Sequence, residues 1–130
     1  MESLVRSLEE NCKAIFMADA AILRVAIIDT DGMDLIGITK THFAGHKDAL
    51  PPMINQFMKY FDQFLSFMRN DPSDPFIFSW YFDSLVIFAA GSPYGTIILY
   101  CDKDVNDGLV KKLLKNVIVN YEILMEPVFK

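Results

Sequence analysis

Long apolar runs are missing from this sequence. The longest, SLVIFAAG and TIILYC, stop far short of the roughly 20 residues that cross a bilayer, so direct membrane insertion is not expected. Basic clusters are scarce as well. The densest is Lys111-Lys112-Lys115, and 17 acidic against 12 basic residues leave a net charge of −5. Such a surface repels nucleic acid and anionic lipid, and neither is an expected partner. The opening MESLVRSLEENCK lacks the basic start and the apolar core of a signal peptide. Only two cysteines occur, Cys12 and Cys101, far apart in the chain. That count fits reduced, buried thiols in a cytoplasmic protein. With 130 residues there is room for one core, so a single domain over 1–130 is expected and a catalytic domain plus cap is not.

Apolar side chains are what the sequence does have. They make up 52% of it, above the roughly 45–50% usual for a soluble domain, which leaves apolar surface to spare for a partner. Leu4, Val5, Leu8, Cys12, Ile15 and Phe16 recur at steps of three and four, predicting an amphipathic helix over 3–17 with Ser3 as a cap. Two β-rich runs follow, 21–29 and 34–40, separated by Thr30-Asp31-Gly32-Met33. The Asp-Gly pair is a strong hairpin signal, so these strands are expected to be antiparallel.

Residues 41–50 have no periodicity and read as a loop, after which Pro51-Pro52 suit the first turn of a second helix. In it Ile54, Phe57, Met58, Phe61, Phe64, Leu65 and Met68 form one wide stripe, and Met53, Tyr60 and Phe67 form another at seven-residue spacing. One stripe docks a helix on a sheet, and the second needs something else to touch. Pro72 and Pro75 end this helix. The runs FIFSWYF, SLVIFAAG and GTIILYCD then predict a three-stranded meander, and Asp104, Asn106 or Asp107 can cap a long last helix that frays at Pro127. The expected fold is α+β, in the order α-β-β-α-β-β-β-α, around a five-stranded antiparallel sheet.

The stretch VAIIDTDGMDLIGIT carries Asp29, Asp31 and Asp34 and could be a site. A calcium loop aligned on Gly32 places Asp29 and Asp31 well but puts isoleucines, Ile27 and Ile38, at its first and last ligand positions. IIDTDGM also resembles the first motif of haloacid-dehalogenase-type phosphatases, which would make Asp29 a nucleophile and Asp31 a general acid. Met33 stands where that family has threonine. Its fold also needs a crossover after this strand, while about four residues intervene here and parallel strands need a dozen or more. His42 and His46 share a zinc-like spacing, with Asp48 as the nearest third ligand and Gly45 between them, and read as solvated loop histidines. GSPYG lies between strands and lacks a Lys-Ser/Thr pair, and no G-x-S-x-G marks a nucleophile. No metal, cofactor or catalytic residue is expected. A small-molecule sensor with a cavity under the second helix cannot be argued from these residues.

Trp80 sits in the densest aromatic strand, and alternation puts Phe76, Phe78, Trp80 and Phe82 on one face and Ile77, Ser79 and Tyr81 on the other. Two readings stay open: a packed core face, or an edge strand that pairs with another subunit.

The element order, the Asp-Gly hairpin after the first helix, the SLVIFAAG strand and GTIILYCDKDVNDGLVKKLLKN running from strand to helix together resemble the roadblock family, related to longin domains. The resemblance covers nearly the whole chain. It implies dimers that join sheets at the third strand and pair their second helices, acting without chemistry as platforms or regulators for small Ras-like GTPases or as parts of larger complexes. Carried onto this sequence, it puts Phe76, Phe78, Trp80 and Tyr60 at a dimer interface and Met53, Tyr60 and Phe67 on partner-facing helices. The other subunit would be a second copy or a related roadblock chain. Small, acidic, dimeric secretion chaperones are the alternative binding module, but they carry three strands before the second helix and two are expected here.

Overall fold

The computed structural model describes residues 2–40, 43, 50–68 and 76–128, without the side chains of 62 and 65–68. The elements are α1 (Glu2–Ala18), β1 (Ile22–Ile28), β2 (Asp34–Thr39), α2 (Leu50–Met68), β3 (Ile77–Tyr81), β4 (Leu85–Ser92), β5 (Gly95–Asp102) and α3 (Asp107–Met125), which ends in a short 3-10 turn, Glu126–Val128. All five strands form one antiparallel sheet in the order β2-β1-β5-β4-β3. The expected fold class and order hold, and two strands precede α2, not three.

Helices cover both faces of the sheet. Val25 and Ile27 of β1, Val86, Phe88 and Ala90 of β4, and Ile97, Leu99 and Cys101 of β5 point to the face covered by α1 and α3. There they meet Leu8, Cys12 and Ile15 of α1 and Val110, Leu114, Ile118 and Tyr121 of α3. The alternate residues Ile28, Ile87, Ala89, Ile98 and Tyr100 face the other way, under Ile54 and Met58 of α2. Because the central strands are buried on both faces, SLVIFAAG and TIILYC are apolar throughout, where a one-sided strand would alternate.

Polar links fix the helices at their ends. Asn106 is the N-cap of α3, its Oδ1 accepting from the Leu109 N–H at 3.2 Å. The Asp19 carboxylate accepts from the Ala21 N–H at 2.9 Å and from the Asn106 N–H at 3.0 Å, joining the end of α1 to the start of α3. Those two donors hold its carboxyl below the usual carboxylate value. Val5 and Leu109, which fit the apolar stripes of α1 and α3, are exposed at the borders of those stripes.

Candidate interaction surface

The aspartate stretch is a turn. Asp29 Oδ1 accepts from the N–H groups of Asp31 and Met33, both at 2.9 Å, and the Asp29 N–H donates to the Met33 carbonyl at 2.9 Å. Gly32 supplies the left-handed step, with φ +85°. An oxygen of Asp29 is thus occupied in closing the hairpin, and β1 is flanked on both sides by antiparallel strands where the phosphatase motif would need a crossover. The tip is also anchored from outside, as the buried Asn55 of α2 donates to the Thr30 carbonyl at 3.0 Å. Asp34 serves a different partner, Arg24. His42, His46 and Asp48 lie outside the described residues.

β3 is an edge strand, paired on one side with β4. The alternation along it is as expected. Phe78 and Trp80 lie on the α2 side, where the Phe57 ring makes edge contacts to both, each with centroids 5.3 Å apart. Phe61 packs edge-on against Phe78 at 4.4 Å and reaches Phe76 at 6.5 Å. Such pairs contribute about 0.5–1.5 kcal/mol each beyond the area they cover. On the opposite face Ile77 joins the core under α1 and α3, and the Tyr81 hydroxyl donates to the Asp107 carboxylate. Phe82, beyond the strand end, is exposed. Phe78 and Trp80 remain only half-buried despite these contacts, because nothing among the described residues closes the edge side.

α2 is where the structure corrects the sequence reading. Its inward face is narrow: Ile54 and Asn55 are buried and Met58 and Phe61 half-buried. Phe57 and Phe64, which spacing alone groups with the core stripe, are 40% and 57% exposed, and they border Met53 and Tyr60, both 65% exposed. The two expected stripes therefore divide differently, with an apolar ridge of Met53, Tyr60 and Phe64 facing solvent and Phe57 at its border, packed on Phe78 and Trp80. Phe67 continues the helix, and its side chain lies outside the described residues. An open depression of about 300 Å³ is bounded by Phe57, Tyr60, Phe61 and Phe64. Together with the β3 edge this brings the expected interface residues Tyr60, Phe76, Phe78, Trp80 and Met53 onto neighbouring surfaces.

The sequence reading overlooked Arg24. It is buried on the α2 face of β1, donating from Nη2 to Asp34 at 2.9 Å and from Nη1 to the Thr39 hydroxyl. Gly37 of β2 makes this possible, since a Cβ there would lie 2.8 Å from Nη2. Beside it on β5, Tyr100 is fully buried with an unpartnered hydroxyl, and burial pushes its pKa up to about 12. Burial also raises the thiols of Cys12 and Cys101 to about 12, as expected of inert core cysteines. The described residues contain no group of three or more His, Cys, Asp or Glu arranged to hold a metal ion.

Solved structures share this architecture. MglB in a tetrameric arrangement superposes with a TM-score of 0.78 at 12% identity, covering 95% of this chain and 91% of that one. MglB of Myxococcus xanthus gives 0.71 at 11% identity over 92% and 91%. A Roadblock/LC7 domain from Streptomyces avermitilis gives 0.67 at 8% identity over 92% and 95%. The chain has a roadblock-like fold. In this roadblock-like sheet β3 forms an outer edge, and among the described residues α2 and Phe43 cover one face. No family model and no curated protein matches the sequence. Among the described residues no helix is long and apolar enough to cross a membrane.

Proposed function

We propose that the chain is a non-catalytic roadblock-like module, one domain over residues 1–130, that works in the cytoplasm. It associates with itself or a related roadblock subunit, and the assembly binds or regulates a small Ras-like GTPase or scaffolds a larger complex. The observation that carries this reading is the exposed ridge of Met53, Tyr60 and Phe64, bordered by Phe57, beside the β3 edge, which no strand among the described residues pairs. Aromatic side chains on a helix exterior cost solubility, and an unpaired edge invites a further strand, so two copies joined there would relieve both. Phe76, Phe78 and Trp80 would then lie under the junction, with Met53, Tyr60 and Phe67 left for helix pairing or a GTPase.

Affinity purification followed by mass spectrometry tests the partner. The expected result is a small GTPase retained by the wild-type chain and lost with Tyr60→Asp; recovery of an unfolded effector segment instead would contradict it. A generic phosphate ester with magnesium should not be turned over, and turnover that Asp29→Asn abolishes would restore the phosphatase reading.

A further inference from the structure

The two faces of the sheet are covered unequally. α3 sends Val110, Leu114, Ile118, Tyr121 and Met125 into the core it covers, all of them buried. Among the described side chains of α2, Ile54 alone is buried in the core on its side, with Leu50 and Met58 half-buried against it. The α2 side also holds polar groups that lack partners. Arg24 Nε and the Tyr100 hydroxyl are buried there without a hydrogen bond, and lifting the cover on this face would return both to water. A segment opens locally where few apolar groups must be exposed and buried polar ones regain water.

The first turns of α2 are held at the tip of the β1–β2 hairpin. Asn55 Nδ2 donates to the Thr30 carbonyl at 3.0 Å, and Asn55 is itself buried. Gly32 brings the tip so close that a Cβ there would lie 3.1 Å from the Pro52 Cα. Asp29 shapes that tip through hydrogen bonds with Asp31, Gly32 and Met33, all within the turn. The Thr30 carbonyl is thereby presented to α2 from a rigid support.

From this we infer that α2 opens from the sheet as a unit while the sheet, α1 and α3 stay closed, and that Asn55 on the hairpin tip is the latch that sets how often it does. Opening breaks the Asn55–Thr30 bond and the edge contacts of Phe57 with Phe78 and Trp80, and it leaves the larger core under α1 and α3 intact. The ridge of Met53, Tyr60 and Phe64 rides on this helix. A partner that reads the ridge beside β3 binds the closed state alone, so the latch sets the share of molecules competent to bind. The opening itself does not depend on the self-association proposed above.

Hydrogen exchange of the full chain in low urea, read by mass spectrometry, tests this. It is run on wild type and in the Tyr60→Asp background, so that protection by a second copy shows as a difference between the two and is not mistaken for the latch. In the Tyr60→Asp background, peptides within 50–61 should exchange faster than peptides within 110–125, through an opening nearly independent of urea, the mark of a local event. Adding Asn55→Ala should speed the α2 peptides about tenfold and leave the α3 peptides within about twofold. Asn55→Asp, which sets a carboxylate against the Thr30 carbonyl, should speed them at least as much. Equal exchange of the two helices with one urea dependence would overturn the separate opening. Acceleration of both helices by the same factor would overturn the latch, and so would α2 peptides that respond to neither substitution.

Discussion

A guanidinium on an apolar sheet face is stable only while its charge is answered, and Arg24 depends for that on Asp34 and Thr39. Asp34→Ala should therefore lower stability in urea by about 1–3 kcal/mol, less than for a fully enclosed pair because Asp34 is itself half exposed. Tyr100 makes the opposite case. Its buried hydroxyl has no partner, so Tyr100→Phe removes a desolvated group, and stability should stay within about 1 kcal/mol of wild type or rise. None of this was legible in the sequence. Arg24 reads there as an interruption in a strand, because what allows its burial lies on β2, at Asp34, Gly37 and Thr39, and only the strand register brings them together.

The elements themselves were largely legible. The Asp-Gly turn, the prolines opening α2 and the polar cap of α3 are local signals, and each lies where spacing puts it. What remained hidden was how the elements are tied together, as at Asp19. Its carboxyl is depressed in the folded state by the Ala21 and Asn106 N–H groups. The resulting stabilisation is present above the ordinary carboxylate value of 3.8 and is lost as pH falls through the lower folded value. Asp19→Ala should accordingly weaken the chain at neutral pH and flatten the acid limb of its stability profile, which urea denaturation between pH 6 and about 2.5 would follow. Asn106→Ala should cost about 1 kcal/mol in the same measurement, since one orphan N–H at the start of α3 loses its acceptor.

For the molecule as a whole, the fold could be read from the order of its elements, while the surface could be read only in part. The excess of apolar side chains on α2 is visible in the sequence, but a helix apolar on most of its circumference does not declare which side faces inward. The sheet decides that. Ile54 and Met58 fit over Ile87, Ala89 and Ile98, and this leaves Phe64 on the solvent side with Met53 and Tyr60 and puts Phe57 at the border, against Phe78 and Trp80. Self-association through this side and the β3 edge is the central claim. Size-exclusion chromatography with light scattering at tens of micromolar tests it most directly. Wild type should give twice the 14.8 kDa chain mass and Tyr60→Asp a folded monomer; a monomeric wild type, or a Tyr60→Asp variant of unchanged dimeric mass, would contradict it.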